Sequence, residues 1–159
     1  MYSLYALLGR TNDLEPKLES FASAHCLRLD GGLSMVALAE DLVSEIEKAG
    51  TVPGGVSVAG EFEFLSPGVE AWAQALSADT ALAYVETEYV GGEGFERAGV
   101  WSRGTIALGP FEGAGSINQA LRALGVQAAT GIEEFEFVGL GRHRSLDEWL
   151  QDAGRFDSL

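Results

Sequence analysis

The chain has a single cysteine, two histidines, four prolines and few positive charges. With Cys26 alone, no internal disulfide can form, which suits a reducing compartment. A lone cysteine is ordinarily a small buried hydrophobe. His25 adjoins it, but neighbours on a strand point to opposite faces, so the pair does not read as a nucleophile with its base. Neither His25 nor His143 sits in a spaced carboxylate or thiol motif. The sequence therefore holds no catalytic triad, no zinc spacing and no nucleotide loop, and no catalytic residue, metal or cofactor is assigned. Long apolar runs are missing too. The longest near the start, Leu4-Tyr5-Ala6-Leu7-Leu8, has no basic region before it and is too short for a signal peptide or a membrane span, so a cytoplasmic protein is expected.

Acids, glycines and apolar residues are abundant. Lys and Arg number 10 against 24 Asp and Glu, a net charge of −14. Residues 36–96 hold Lys48 alone against twelve acids, so nearly all the excess lies in the middle of the chain. Such a field repels phosphate backbones and anionic membranes, so neither a nucleic-acid nor a membrane partner is expected. It would attract a basic protein and speed its association; plain solubility is the other reading. The length of 159 residues and a hydrophobic fraction of 47% suit one domain, residues 1–159, with its own core.

Periodicity gives the elements. Residues 3–8 read as a buried strand ended by Gly9. Thr11 or Asn12 can cap a helix carrying Leu14, Leu18 and Phe21 on one face, with Glu15 closing a capping box and Pro16 in the first turn. Asp30-Gly31-Gly32 marks a hairpin between 26–29 and 33–38. A helix follows over about 39–49, then a glycine-rich loop over 51–60 that is the best candidate for mobility. Ser66-Pro67 opens a third helix. Residues 81–89, 95–101 and 105–108 alternate as strands with short glycine turns between them. Such short turns join only antiparallel neighbours, which predicts a meander over about 81–108. A helix over 116–124, an ambiguous segment over 133–138, and a helix opened by the box Ser145-Leu146-Asp147-Glu148 complete the chain, with a tail from Gly154 expected to fray. The order predicts an α+β fold: one mostly antiparallel sheet with helices packed on a face.

Three motifs carry candidate chemistry. Glu86 and Glu88 share one face of a strand, followed by Gly91-Gly92-x-Gly94. They read either as paired carboxylates or as a solvated face pairing with Arg97 or Arg103 across the hairpin. The glycines lie between strands with no helix after them, so they read as a turn, not a phosphate loop. Glu61-Phe62-Glu63-Phe64 alternates acid and aromatic: core packing, or a docking strip for a basic partner. Arg142-His143-Arg144 is the one basic patch, a candidate anion clamp or an internal anchor for acids.

Through Tyr5-Ala6-Leu7-Leu8-Gly9, Tyr84-Val85-Glu86-x-Glu88-Tyr89-x-Gly91-Gly92-x-Gly94 and Gly139-Leu140-Gly141-Arg142-His143-Arg144, the chain resembles a set of small, acidic, uncharacterised bacterial proteins. Several of these are similar in style to the immunity proteins of bacterial toxin systems. The resemblance carries over no functional residue. The leading expectation is a non-enzymatic binding protein, an immunity-type inhibitor of a basic toxin, with Glu61, Phe62, Glu63, Phe64, Glu86, Glu88 and Glu93 as partner-binding candidates. The alternative is a small hydrolase or metal-dependent enzyme using Glu86, Glu88 and His143.

Overall fold

The computed structural model describes residues 1–157, with side chains through residue 152. Six strands form one sheet: β1 (Tyr2–Arg10), β2 (Leu27–Arg28), β3 (Leu33–Ala37), β4 (Leu82–Val90), β5 (Glu93–Ser102) and β6 (Thr105–Glu112), in the spatial order β2-β3-β1-β4-β5-β6. Every pairing is antiparallel. The meander is β4, β5 and β6, with Glu86 opposite Arg97 and Ala98 opposite Phe111. Its first turn explains the glycines. Gly91 and Gly92 take φ of 60° and 84°, conformations that a side chain strains. A Cβ on Gly94 would lie 1.7 Å from the Glu88 carbonyl oxygen. That motif is a hairpin turn, as its position between strands implies.

The first strand lies in the middle of the sheet, between β3 and β4. It runs through Gly9 to Arg10, because backbone pairing with β3 extends to Arg10 opposite Leu33. Buried on both faces, it reads as an unbroken apolar run.

Side-chain alternation splits the core into two clusters. Leu4, Ala6 and Leu8 of β1 join Met35, Val85, Ala98 and Val100 on one face. There they meet α4 (Ser116–Ala123) through Ile117, Ala120 and Leu121, and α6 (Leu146–Asp157) through Trp149. Leu7, Val36, Leu82 and Tyr84 point the other way. They pack on α2 (Glu40–Lys48) through Leu42 and Ile46, and on α3 (Pro67–Leu76) through Val69, Trp72 and Leu76. Helices thus cover both sheet faces: those before residue 80 on one, those after residue 112 on the other.

Local chemistry sets most element ends. Ser66 caps α3 by accepting the Val69 N–H, and Pro67 sits just inside. Ser145 accepts the Glu148 N–H at the start of α6. The first helix departs from expectation. Only Thr11–Leu14 (α1) is α-helical, and Glu15–Ser20 tightens to a 3-10 helix at Pro16, which has no N–H to continue the ladder. Thr11 does not cap it; its hydroxyl bonds Ser34 Oγ at 2.6 Å, and Glu15 pairs with Arg28. The ambiguous segment is a single turn, α5 (Glu134–Phe137). In the tail, α6 runs to Asp157, and residues 158 and 159 lie outside the described range.

Candidate functional site

The residues singled out at 61–64 and 86–88 converge on one end of the sheet, on the face that carries α2 and α3. Tyr5, Glu86 and Arg97 lie side by side on β1, β4 and β5, all pointing to this face. The segment 61–64 crosses above them. After a 3-10 turn at Ala59–Glu61, Phe62 drops into the core, its ring edge-on to Tyr84 at 5.1 Å and stacked on Trp101 at 6.4 Å. Gly99 makes room: a Cβ there would come within 3.2 Å of the Phe62 ring. Glu63 and Phe64 follow on the surface.

Glu86 holds this crossing in place. Its side chain is fully buried, and its two carboxylate oxygens accept separate amides: Glu63 N–H at 2.7 Å and Phe64 N–H at 2.8 Å. Burial pushes the Glu86 carboxyl above its ordinary value; the two amides, Arg97 and the Tyr84 hydroxyl oppose that. Its partner on the strand is more open. Glu88 is half-buried and accepts the Tyr5 hydroxyl. The two carboxylates thus do different jobs: Glu86 is sequestered behind the 61–64 segment, out of reach of a docking partner, while Glu88 remains at the surface. Arg97 does not pair with Glu86. It bridges to Glu63 (3.1 Å) and Glu112 (3.6 Å) and lies over the Phe95 ring.

On top sits an aromatic strip. Phe64 is 52% exposed, its ring 4.8 Å from Tyr5 and 6.1 Å from Phe95. Beside it, between the sheet and α2, opens a cleft of about 370 Å³ bounded by Tyr5, Phe64, Val43 and Glu40. The surface therefore offers apolar rings edged by Glu40, Glu63 and Glu88. Glu61 is exposed nearby in sequence, and Glu93 is exposed at the start of β5, beyond the strip at the hairpin tip.

Much of the mid-chain acidity has an internal use. Glu45 accepts the Ala22 and Ser23 N–H groups, and Glu47 that of Gly68 at the start of α3. Glu70, fully buried, accepts the Val58 N–H and the Ser57 hydroxyl. Glu96 accepts the Ile117 N–H at the start of α4. With Glu86, five carboxylates clamp backbone that no strand or helix ladder satisfies, the condition every buried amide must meet somehow. The glycine-rich stretch before α3 is tied down in this way by Glu70 and by Gln74, which bonds both backbone groups of Gly54.

No protein-family model, curated protein or solved structure matches this chain.

The fold does not bring the alternative catalytic set together. His143 packs against Trp149, in the cluster on the opposite sheet face from Glu86 and Glu88. Its Nε2 lies 2.6 Å from Asp152 and its Nδ1 3.9 Å from Glu148. Arg142 pairs with Asp30 and lies over the Trp149 ring, and the Arg144 carbonyl accepts the Ser3 N–H. The basic patch thus fastens α6 and the hairpin after β2 to the body, and two of its three side chains are already paired. Among the described residues no group of three or more His, Cys, Asp or Glu is placed to hold a metal, and no helix is long and apolar enough to cross a membrane. Cys26 is half-buried, and burial raises its thiol above the ordinary value, which disfavours the thiolate.

Sequence reading missed Tyr5 and Phe95 as parts of this surface and named Arg97 only as a cross-hairpin partner for the carboxylates. The available signal was their position on strands: Tyr5 and Arg97 fall in register with Glu86, and Phe95 with Glu88.

Proposed function

We propose that this chain is a non-enzymatic binding protein of immunity type, which covers a basic protein with the face carrying Phe64. One observation carries the reading: an exposed phenylalanine, its ring tilted against those of Tyr5 and Phe95, stands beside an apolar cleft and is edged by Glu40, Glu63 and Glu88. Aromatic anchors desolvated at the centre of a contact supply most of its energy, and charges at the rim steer encounter. A basic partner would pair with the rim while its apolar side chains met the strip.

The test uses tagged wild-type chain and two variants, Phe64→Ala and Glu40→Lys, to capture proteins from a lysate of the native host. The reading expects one basic protein retained by the wild type and depleted with both variants. Association of that protein, followed by stopped flow, should slow as salt rises, since exposed charges are screened over roughly 8 Å at physiological ionic strength. A partner retained equally by all three, or an on-rate indifferent to salt, would refute the reading.

A further inference from the structure

The opposite sheet face carries a second cleft, of about 390 Å³, at the same end of β1 and β4. Strand register builds its floor. Tyr2 lies directly opposite Tyr89, and Glu96 opposite Thr87, all on the face of the Leu4 cluster. The start of α4, from Gly115 to Asn118, forms one wall. Phe135 forms the other, its ring edge-on to Tyr2 at 5.6 Å, and Glu133 stands exposed at the rim.

The walls are fixed by their own hydrogen bonds. The Tyr2 hydroxyl donates to the Leu140 carbonyl, and Asn118 Oδ1 accepts the Phe135 N–H at 2.8 Å. Glu96 accepts the Ile117 N–H through Oε1, leaving Oε2 with only the Tyr89 hydroxyl, 3.5 Å away. No Lys, Arg or His lines the cleft. Among the described residues, neither Glu96 nor Glu133 enters an ion pair.

We propose that this cleft binds an alkylammonium group, carried by a small organic amine or by a lysine side chain. Three aromatic rings and two carboxylates that enter no ion pair among the described residues favour an organic cation twice over. A cation seated over a ring is attracted through its quadrupole, and the carboxylates supply charge-assisted hydrogen bonds. An anion would be repelled, and a neutral ligand would leave Glu96 Oε2 with only the distant Tyr89 hydroxyl. The volume lies within the range of small-ligand pockets. This inference is independent of the Phe64 face, which lies on the other side of the sheet.

The experiment is an amide-resolved NMR titration of the whole chain with three probes: tetramethylammonium chloride, butylamine hydrochloride and a short peptide bearing one lysine. Sodium chloride at matched ionic strength is the control. Saturable shifts at Gly115, Asn118 and Phe135 are expected with at least one probe and not with sodium. Glu96→Gln keeps an oxygen for the Ile117 N–H, and Glu133→Gln changes an exposed rim residue. With Tyr89→Leu, each should weaken binding roughly 3- to 30-fold. Saturation by the free amines assigns a small-molecule site; saturation by the peptide alone assigns a lysine side chain. Shifts that sodium reproduces, no saturation with any probe, or unchanged affinity in Glu133→Gln and Tyr89→Leu would overturn the proposal.

Discussion

Replacing Glu86 tests most directly how the candidate face is held together. Its two oxygens satisfy one amide each, so Glu86→Ala strands both the Glu63 and the Phe64 N–H. A hydrogen bond to a charged group contributes about 1.5–3 kcal/mol, which sets an upper bound of about 3–6 kcal/mol for the pair. Two effects reduce it: water reaches the freed amides, since Glu63 and Phe64 lie at the surface, and the desolvation cost of the buried carboxylate disappears. We expect Glu86→Ala to lose about 2–4 kcal/mol in urea denaturation at neutral pH. Glu86→Gln, which keeps one acceptor, should lose about 1–3 kcal/mol. Hydrogen exchange at the Glu63 and Phe64 amides should speed up in both. The pH dependence supplies an independent check. Burial holds the carboxyl above its ordinary value in the folded chain, so as pH falls the native state takes up this proton before the unfolded chain does. The stability of wild type relative to Glu86→Gln must therefore rise as pH drops from neutral toward 4.5, where the unfolded group titrates, and level off below it. Carboxylates remote from Glu86 contribute equally to both proteins and cancel. A wild-type advantage that shrinks on acidification, or an Ala variant as stable as wild type with unchanged exchange at 63 and 64, would refute the reasoning.

Further outcomes follow from the same contacts. Phe62→Ala should cost about 3–5 kcal/mol, read from the shift of the urea midpoint, because it empties the space between Tyr84 and Trp101. Gly94→Ala should disrupt the β4–β5 hairpin, seen as loss of amide protection at its tip, since the new Cβ would meet backbone and not a movable side chain. Glu70→Ala should selectively speed exchange at Val58 while leaving the β1 amides protected. Burial raises the Tyr2 and Tyr84 phenols beyond the ordinary tyrosine value of 10.0, and Tyr89 is raised as well. Unfolded tyrosines ionise first as pH rises, so stability should fall from about pH 10 upward, and phenolate absorbance should lag behind that of the urea-unfolded chain.

The sequence by itself determined the elements and their local chemistry. Short apolar runs at 82–85 and 98–101 bounded by glycine turns read as strands, the glycines at 91, 92 and 94 require a tight hairpin, and Ser66-Pro67 and Ser145 start helices, because each of these signals acts within a few residues of the atoms it controls. Even its local failure was local: Pro16 cut α1 to one turn. Tertiary structure alone decided three other matters. It put the first strand in the centre, beside β4, because a strand apolar on both faces gains most by having a neighbour on each side and a helix layer above and below. It sent Glu86 inward and left Glu88 half-buried, though both occupy the same strand face, because the 61–64 segment crosses above one and carries amides that need an acceptor. It also set His143 across the sheet from both, since periodicity tells which side of an element is apolar but not which sheet face that element will cover.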